Sequence, residues 1–159
     1  MYRFVDKIGS KGIVRSACKA SIIRSTSHLM PDTPQKINWQ KAALTLQQGL
    51  EGEAIDSSVL EHLRQADHVL VACSGGADSV FLLCLLVARA QEIGIQLHVA
   101  HYNHRWRSEA SDADASFVES LADSFNLPFL SDTRSEKEAA FTETSARMLR
   151  LDFLRKAAH

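Results

Sequence analysis

The sequence predicts an α/β fold built on a parallel β-sheet, and three observations lead to this prediction. Residues 69–72 form a continuous apolar run of strand length, which is typical of a strand covered on both faces. Two further strand-like segments, 96–102 and 127–130, follow it, and a helical segment separates each from the strand before. Strands that alternate with helices indicate parallel βαβ units with right-handed crossovers. At 159 residues the chain is long enough to bury one core.

The residues before the first of these strands divide into two parts. Residues 1–29 carry six basic residues against one acid, Asp6, and show no helical or strand period. We expect a disordered basic extension there; a transit peptide, or an upstream start with Met30 as the true initiator, are alternatives. Residues 30–66 are predicted to be a helical lead-in, with one helix over 38–50 and a second capped by Ser57 or Ser58.

Residues 67–159 are predicted to be the first part of the α/β domain itself. Its helices are an apolar one over 80–90, which should be deeply buried, an amphipathic one over 112–125, and a last one that begins near Thr142. Because only three strands are predicted, we expect strand 69–72 to lie at one edge of the sheet. Its apolar character on both faces nevertheless suits a central position, which a further strand would provide.

Composition excludes few classes of function. Hydrophobic residues make up 45% of the chain, charged residues 23%, and the net charge is −1, so nucleic-acid binding cannot be inferred from charge alone. No apolar run approaches the roughly 20 residues that span a bilayer. The cysteines, Cys18, Cys73 and Cys84, have neither a CxxC pair nor a metal-site spacing, which favours a reducing compartment. We expect Cys73 and Cys84 to be small buried hydrophobes.

The loop Cys-Ser-Gly-Gly-Ala-Asp-Ser at 73–79 lies between a buried strand and a helix, and it predicts a phosphate-binding site. Gly75 and Gly76 permit a tight turn that brings backbone N–H groups against a ligand. The following helix directs the positive end of its dipole at the same point, and Ser74 and Ser79 add hydroxyl donors. The alternative is a plain glycine turn with a Ser/Asp helix cap.

Asp78 indicates the kind of anion that this loop binds. A carboxylate in the first turn of a helix interacts favourably with the dipole, but it would repel a polyphosphate unless a divalent cation lay between them. Mg²⁺ commonly binds one or two carboxylates together with phosphate oxygens. The sequence therefore predicts a Mg²⁺–nucleotide site with Asp78 as the metal ligand.

A second polar loop follows the next predicted strand. In an open parallel sheet, ligands bind at the carboxyl ends of the strands, so this loop should lie beside the phosphate loop. It offers polar side chains to a nucleotide or to RNA, namely His101, Asn103, His104, Arg105 and Arg107. A metal site at the two histidines is disfavoured because no further ligand has a suitable spacing. The alternative is an ordinary polar surface loop.

The segment Ser74-Gly-Gly-Ala-Asp-Ser79 resembles the SGGxDS signature of the PP-loop ATP pyrophosphatases, and it lacks the Gly-Lys-Ser/Thr ending of a Walker A loop. In that family ATP is cleaved between its α- and β-phosphates, the signature holds the pyrophosphate, and AMP passes to a carbonyl-type oxygen. The resemblance implies a Rossmann-like PP-loop domain, with ATP and Mg²⁺ as cofactors. It also implies that Asp78 is catalytic, and that residues 74–79 bind the nucleotide, including Ala77, where proline is common.

The residues after the second strand resemble the tRNA(Ile)-lysidine synthetases. These enzymes carry an AHxNHxLR-type loop, which 100–107 matches except for Trp106 in place of leucine, and an E-x-x-A-R-x-x-R-Y segment. Glu143, Ala146, Arg147 and Arg150 match the second segment, although Leu151 replaces the tyrosine. The resemblance implies a catalytic role for Arg147, nucleotide contacts for the loop, and RNA contacts for three arginines. The nucleotide residues are His101, Asn103 and His104, and the RNA residues are Arg105, Arg107 and Arg150. A solvated basic helix face is an equal alternative for Arg150.

The resemblance further implies a ligase that adenylates the wobble cytidine of tRNA(Ile) with a CAU anticodon and then joins lysine to form lysidine. Its partners would be tRNA(Ile) and free L-lysine, and no association with a membrane is expected. Homodimerisation of the intact enzyme is left open. The location would be cytoplasmic, or organellar if residues 1–29 are a transit peptide.

The family continues with a GHHxDDxxET-type motif that carries lysine-binding acids, and the chain ends at His159 before it. We therefore expect an N-terminal fragment that is inactive alone. Another PP-loop enzyme, such as a tRNA thiolase, and a non-catalytic nucleotide-binding module are the alternatives.

Overall fold

The computed structural model describes residues 37–49, 55–105, 109–134 and 142–159. It also describes the backbone of residues 2–5, and of residues 109 and 110 it likewise describes the backbone alone. The strands are β1 (Tyr2–Val5), β2 (His68–Ala72), β3 (Gln96–Asn103) and β4 (Phe129–Thr133). The helices are α1 (Trp39–Gly49), α2 (Ser57–Arg64), α3 (Ala77–Ile93), α4 (Glu109–Ser124) and α5 (Glu143–Ala157). None of these helices is both long and apolar enough to cross a bilayer.

The strands form one parallel sheet in the order β1-β2-β3-β4. The predicted α/β fold with a parallel sheet is therefore confirmed. The register runs from His68 opposite Gln96 to Ala72 opposite Ala100, and from Val99 opposite Phe129 to Asn103 opposite Thr133. All strands point the same way, so the loops after β2 and β3 emerge at the same edge of the sheet.

Strand β1 overturns the prediction that the strand at 69–72 lies at an edge. Tyr2–Val5 pairs in parallel with β2, with Tyr2 opposite His68 and Val5 opposite Val71, so the backbone of β2 has a neighbour on both sides. These four residues also belong to the predicted structureless extension, so that prediction is wrong for them. A strand of four residues is too short to show a period in the sequence. The rest of the predicted extension, 6–29, lies outside the described residues.

One face of the sheet carries the larger core. Val69 and Val71 of β2 and Leu97 and Val99 of β3 point to this face. They pack against buried side chains of α2, α3 and α4, including Leu63, Leu83, Leu86, Val118 and Leu121, and against the partly buried Trp39 of α1. Helix α3 contributes four consecutive buried residues, 83–86, which confirms the prediction of a deeply buried helix.

The opposite face is covered by α5. Leu70 of β2 and Ala100 of β3 are buried against Leu154, and Phe153 and Ala157 pack beside them. Helices on both faces explain why residues 69–72 of β2 are all apolar, since each of these side chains meets protein whichever way it points.

Helix ends depart from the predictions in some places. The side chain of Asp56, not of Ser57 or Ser58, caps α2, and its Oδ1 accepts from the N–H of Ser58 at 2.8 Å. The predicted start of α5 at Thr142 is confirmed, and a reciprocal capping box joins Thr142 to Ser145. Strand β4 begins two residues later than predicted, at Phe129.

Candidate functional site

The loop between β2 and α3 turns on a glycine in a left-handed conformation. Gly75 has φ +86°, a region that side chains other than glycine rarely adopt. A Cβ added there would lie 3.5 Å from Val118 Cγ2 and 3.7 Å from Asp114 Cβ, so helix α4 packs directly against the turn. Gly76 is the N-cap of α3 and has no side-chain cap. The loop thus leaves backbone groups, rather than side chains, at the start of the helix.

Ser79 holds the loop together from inside. Its hydroxyl donates to the carbonyl of Gly76 at 2.8 Å and accepts from the N–H of Ser74 at 3.2 Å. The Ser74 hydroxyl is 3.2 Å from that of Ser79, and the N–H of Gly76 donates to it at 3.4 Å. Ser74 is exposed whereas Ser79 is half-buried, so the two predicted hydroxyl donors differ in access.

The start of α3 presents the chemistry expected of an anion site. The N–H groups of Ala77 and Asp78, in the first turn, have no carbonyl four residues earlier within the helix to bind, and they point along the helix axis toward the loop. Asp78 lies in this turn with its carboxylate exposed. Within the described residues no group of three or more His, Cys, Asp or Glu side chains could hold a metal ion. One exposed carboxylate suits a Mg²⁺ that also binds phosphate oxygens, and it does not suit a cage made of protein alone.

His101 is hydrogen-bonded to Cys73, the first residue of this loop. Its side chain is 4% exposed, and its Nδ1 lies 2.8 Å from the carbonyl oxygen of Cys73. A carbonyl only accepts, so Nδ1 carries the proton and donates. The N–H of Cys73 in turn donates to the carbonyl of Ala100 at 2.9 Å. These two bonds fasten Cys73, the residue just before the serine and glycines, to β3.

Asn103 organises the loop that follows β3. It is also 4% exposed, and its Nδ2 donates to Asp112 Oδ1 at 2.7 Å while its Oδ1 accepts from the N–H of Arg105 at 2.8 Å. Arg105 has φ +51°, and its side chain is exposed. Both ends of the Asn103 carboxamide therefore bind protein groups.

His104 faces the other side of the sheet, toward α5. Its ring lies 4.9 Å from that of Tyr102, and the Tyr102 ring lies 5.7 Å from that of Phe153 on α5. Burial holds the pKa of His104 below its ordinary value, and the charges of Arg150 and His101 lower it further. Arg150 is half-buried beside His104, and Arg147, one turn earlier on α5, is exposed. This is the basic part of the site.

The structure thus brings most of the predicted residues to one edge of the sheet and divides them between its two faces. His101 and Asn103 point toward α3 and α4, and His104 points toward α5, as the alternation of a strand requires. Arg107 lies outside the described residues. The nucleotide and RNA contacts of all these residues stay predictions.

Two parts of the site went unrecognised in the sequence. Asp112 anchors Asn103, and Tyr102 links His104 to Phe153 of α5. The period of two along 97–103 was the signal that could have separated the inward-facing residues from those that face α5.

Comparison with known proteins identifies relatives of this loop-bearing domain. A family model described as a PP-loop domain matches residues 47–159. The tRNA(Ile)-lysidine synthase of Geobacter sulfurreducens is 49% identical over 80 residues, which cover 50% of this chain and 16% of that protein. The enzyme of the same name from Dehalococcoides mccartyi is 38% identical over 97 residues, covering 58% of this chain and 21% of that protein.

A third relative extends the match. The tRNA(Ile)-lysidine synthase of Rhodopirellula baltica is 35% identical over 118 residues, which cover 61% of this chain and 30% of that protein. The chain therefore spans less than a third of the length of these relatives. The family model covers most of the chain and includes the whole loop from β2 to α3, so the chain belongs to the PP-loop domain family of ATP-binding proteins.

Proposed function

We propose that this chain forms the nucleotide site of an ATP-dependent tRNA-modifying ligase that makes lysidine in tRNA(Ile). The observation that carries the proposal is the loop at 73–79, where a left-handed Gly75 and an N-terminus without a side-chain cap leave backbone donors for phosphates. The relatives named tRNA(Ile)-lysidine synthase supply the substrate, and the reaction is proposed for the whole protein.

The proposed reaction has two steps. The C2 oxygen of the wobble cytidine attacks the α-phosphorus of ATP, the bond between the α- and β-phosphates breaks, and pyrophosphate leaves. The ε-amine of free lysine then attacks C2 of the adenylated base, AMP leaves, and the amine loses a proton. Each step needs an anionic leaving group to be stabilised as its charge develops.

The residues of the phosphate loop take the pyrophosphate in this scheme. Backbone N–H groups of Gly75, Ala77 and Asp78 and the exposed hydroxyl of Ser74 bind its oxygens, while Ser79 keeps the loop closed. Asp78 would hold Mg²⁺, which neutralises charge on the phosphates. His101 keeps Cys73 in place, so its contribution to ATP binding acts through the loop.

In this scheme the arginines contact the RNA and the reacting phosphate. Arg105 and Arg147 are exposed and Arg150 is half-buried, and we propose RNA contacts for Arg105, Arg107 and Arg150 and an active-site contact for Arg147. Arginine suits this role because its planar guanidinium binds phosphate oxygens in pairs. His104, held toward the neutral form beside Arg150, would contact the nucleotide without adding charge.

One observation weighs against a thiolase. Thiol chemistry needs a thiolate, and both cysteines in the described ranges are buried. Burial raises the pKa of Cys84 to about 11, which disfavours its thiolate further. A non-catalytic nucleotide-binding module is distinguished from the proposal by an assay of the whole protein, which would then bind ATP without releasing pyrophosphate in the presence of tRNA(Ile).

The Mg²⁺ role of Asp78 is tested by calorimetry of the chain with ATP, with and without Mg²⁺. We expect binding that depends on Mg²⁺ and that Asp78→Asn weakens about tenfold, because the metal loses a charged ligand. Asp67→Asn is the matched control, since this exposed carboxylate lies at the opposite end of β2. If wild type and Asp78→Asn bind ATP with equal affinity, both with and without Mg²⁺, the proposal that Asp78 holds the metal is refuted.

A further inference from the structure

Asn103 ends a row of inward-facing side chains on β3 that begins with Leu97 and Val99. The row is apolar at these two residues and becomes polar at His101 and Asn103, each of which is only 4% exposed. A buried carboxamide costs free energy unless both its ends are hydrogen-bonded. An apolar side chain would satisfy packing at this position, so the polar atoms of Asn103 serve a purpose other than packing.

The first task is to shape the loop after β3. Oδ1 of Asn103 accepts from the N–H of Arg105 at 2.8 Å, which closes a turn of the kind that Asn forms with the backbone two residues on. Within this turn Arg105 takes φ +51°, a conformation that residues with a side chain rarely adopt. The bond therefore sets the direction in which the chain leaves the sheet, and with it the position of the exposed Arg105 side chain.

The second task is to anchor that turn to its surroundings. Nδ2 of Asn103 donates to Asp112 Oδ1 on α4 at 2.7 Å, a bond to a charged acceptor. The backbone carbonyl of Asn103 accepts from the N–H of Arg134, just after β4, at 3.0 Å. Three segments of the chain thus converge on one residue. The loop that carries Arg105 is fixed relative to both α4 and β4.

We infer that Asn103 is a positioning residue, which holds Arg105 in place for a phosphate of the RNA and touches neither RNA nor nucleotide itself. Asp112 is its anchor. The inference rests on the proposed function, which gives Arg105 an RNA contact, and it replaces the expected nucleotide contact of Asn103 with an indirect role. The position requires a donor and an acceptor on one short side chain, which asparagine has and aspartate lacks.

A reciprocal exchange tests the anchor. Asn103→Ala removes both side-chain bonds, and Asn103→Asp keeps the acceptor for Arg105 but sets a carboxylate against that of Asp112. Adding Asp112→Asn to Asn103→Asp restores the bond with donor and acceptor exchanged. At low salt we expect the single variants to bind tRNA(Ile) about tenfold more weakly, and the double variant to recover to within about threefold of wild type. ATP affinity should change less than about threefold throughout.

An Arg105→Ala background separates positioning from general stability. With the positioned group gone, Asn103→Ala and Asn103→Asp should no longer weaken tRNA(Ile) binding. Arg155→Ala is the control background, because this exposed arginine lies in the last turn of α5, and there both effects should persist. If the Asn103 variants weaken binding equally in the Arg105→Ala background, Asn103 acts through overall stability and the inference is overturned.

Hydrogen exchange at the Arg105 N–H gives a readout that needs no RNA. We expect exchange in Asn103→Ala at least about tenfold faster than in wild type, because its acceptor is gone. Unchanged exchange would overturn the inference whatever the RNA result. A wild-type chain with no affinity for tRNA(Ile) would overturn the proposed RNA contact, and with it the task of Arg105. The exchange rate would still decide whether Asn103 shapes the loop.

Discussion

Replacing Gly75 by alanine tests whether the left-handed turn of the phosphate loop is needed for nucleotide binding. Gly75 has φ +86°, and the nearest atoms to an added Cβ lie at 3.5 Å, on Val118, and at 3.7 Å, on Asp114. These are ordinary van der Waals distances, so the methyl group fits. The cost of the substitution is therefore conformational and not steric.

The size of that cost follows from the backbone. A left-handed conformation costs a residue with a Cβ about 1–2 kcal/mol. Alanine also restricts the unfolded chain, which returns about 0.4–1 kcal/mol. We expect a net loss of about 1 kcal/mol in the free energy of unfolding, or a fall in Tm of about 2–4 °C for a chain of this size.

Gly94→Ala is the matched control. Gly94 has φ +84° at the C-terminal end of α3, and an added Cβ there meets nothing within 4 Å. Both substitutions should thus cost about the same stability in urea titrations. They should differ in calorimetry with ATP. In Gly75→Ala, the backbone strain is relieved by a movement that takes N–H groups away from the phosphates. Each charged hydrogen bond lost in this way costs about 1.5–3 kcal/mol, or roughly tenfold to a hundredfold in Kd.

Two results would refute this reasoning. If Gly75→Ala binds ATP as wild type does, the left-handed turn is not what arranges the donors. If Gly94→Ala loses as much ATP affinity as Gly75→Ala, the effect is one of overall stability and the loop has no special part in it.

Two further predictions concern titrating side chains. Because burial raises the pKa of Cys84 to about 11, mass spectrometry should find it alkylated at least about a hundredfold more slowly in the folded chain than in urea at mildly alkaline pH; similar rates would contradict its burial. Because the pKa of His104 is lowered on folding, the unfolded chain takes up this proton first, so the free energy of unfolding should fall as pH drops from about 7.5 to about 5.5. His104→Asn should flatten that slope in urea titrations, although His98, whose pKa is also lowered, leaves a remainder; an unchanged slope would refute the assignment.

The phosphate loop and its surroundings could be predicted from the sequence because their signals are local. An apolar strand, two adjacent glycines and an apolar helix lie within 25 residues, 69–93, and each constrains the backbone by its own chemistry. The same applies to the start of α5, where Thr142 and Ser145 cap the helix reciprocally. The left-handed Gly75 is the conformation that a glycine at such a turn makes available.

Partners distant in the chain could not be predicted in the same way. Tyr2–Val5 pairs with β2 across more than 60 residues, and nothing within four residues indicates which strand they join. Asn103 and His101 were expected to touch the nucleotide because they are polar and follow a strand. Their partners, Asp112 and the Cys73 carbonyl, come from α4 and from the residue after β2, so only the folded arrangement reveals that both amide ends and the Nδ1 proton are already used.

The alternation of β3 divides the proposed reaction between the two faces of the sheet. His101 and Asn103 point toward the phosphate loop and α4, while Tyr102 and His104 point toward the arginines of α5. A shift of one residue in the register of β3 would exchange these two sets: Tyr102 would take the place of His101 under Cys73, and Asn103 would take the place of Tyr102 on the face toward α5. The backbone bond from Val99 to Pro128 and that from Cys73 to Ala100 hold the register on both sides of the strand. In the proposed reaction, nucleotide and RNA can therefore be brought together only if β3 keeps its pairing with both neighbours.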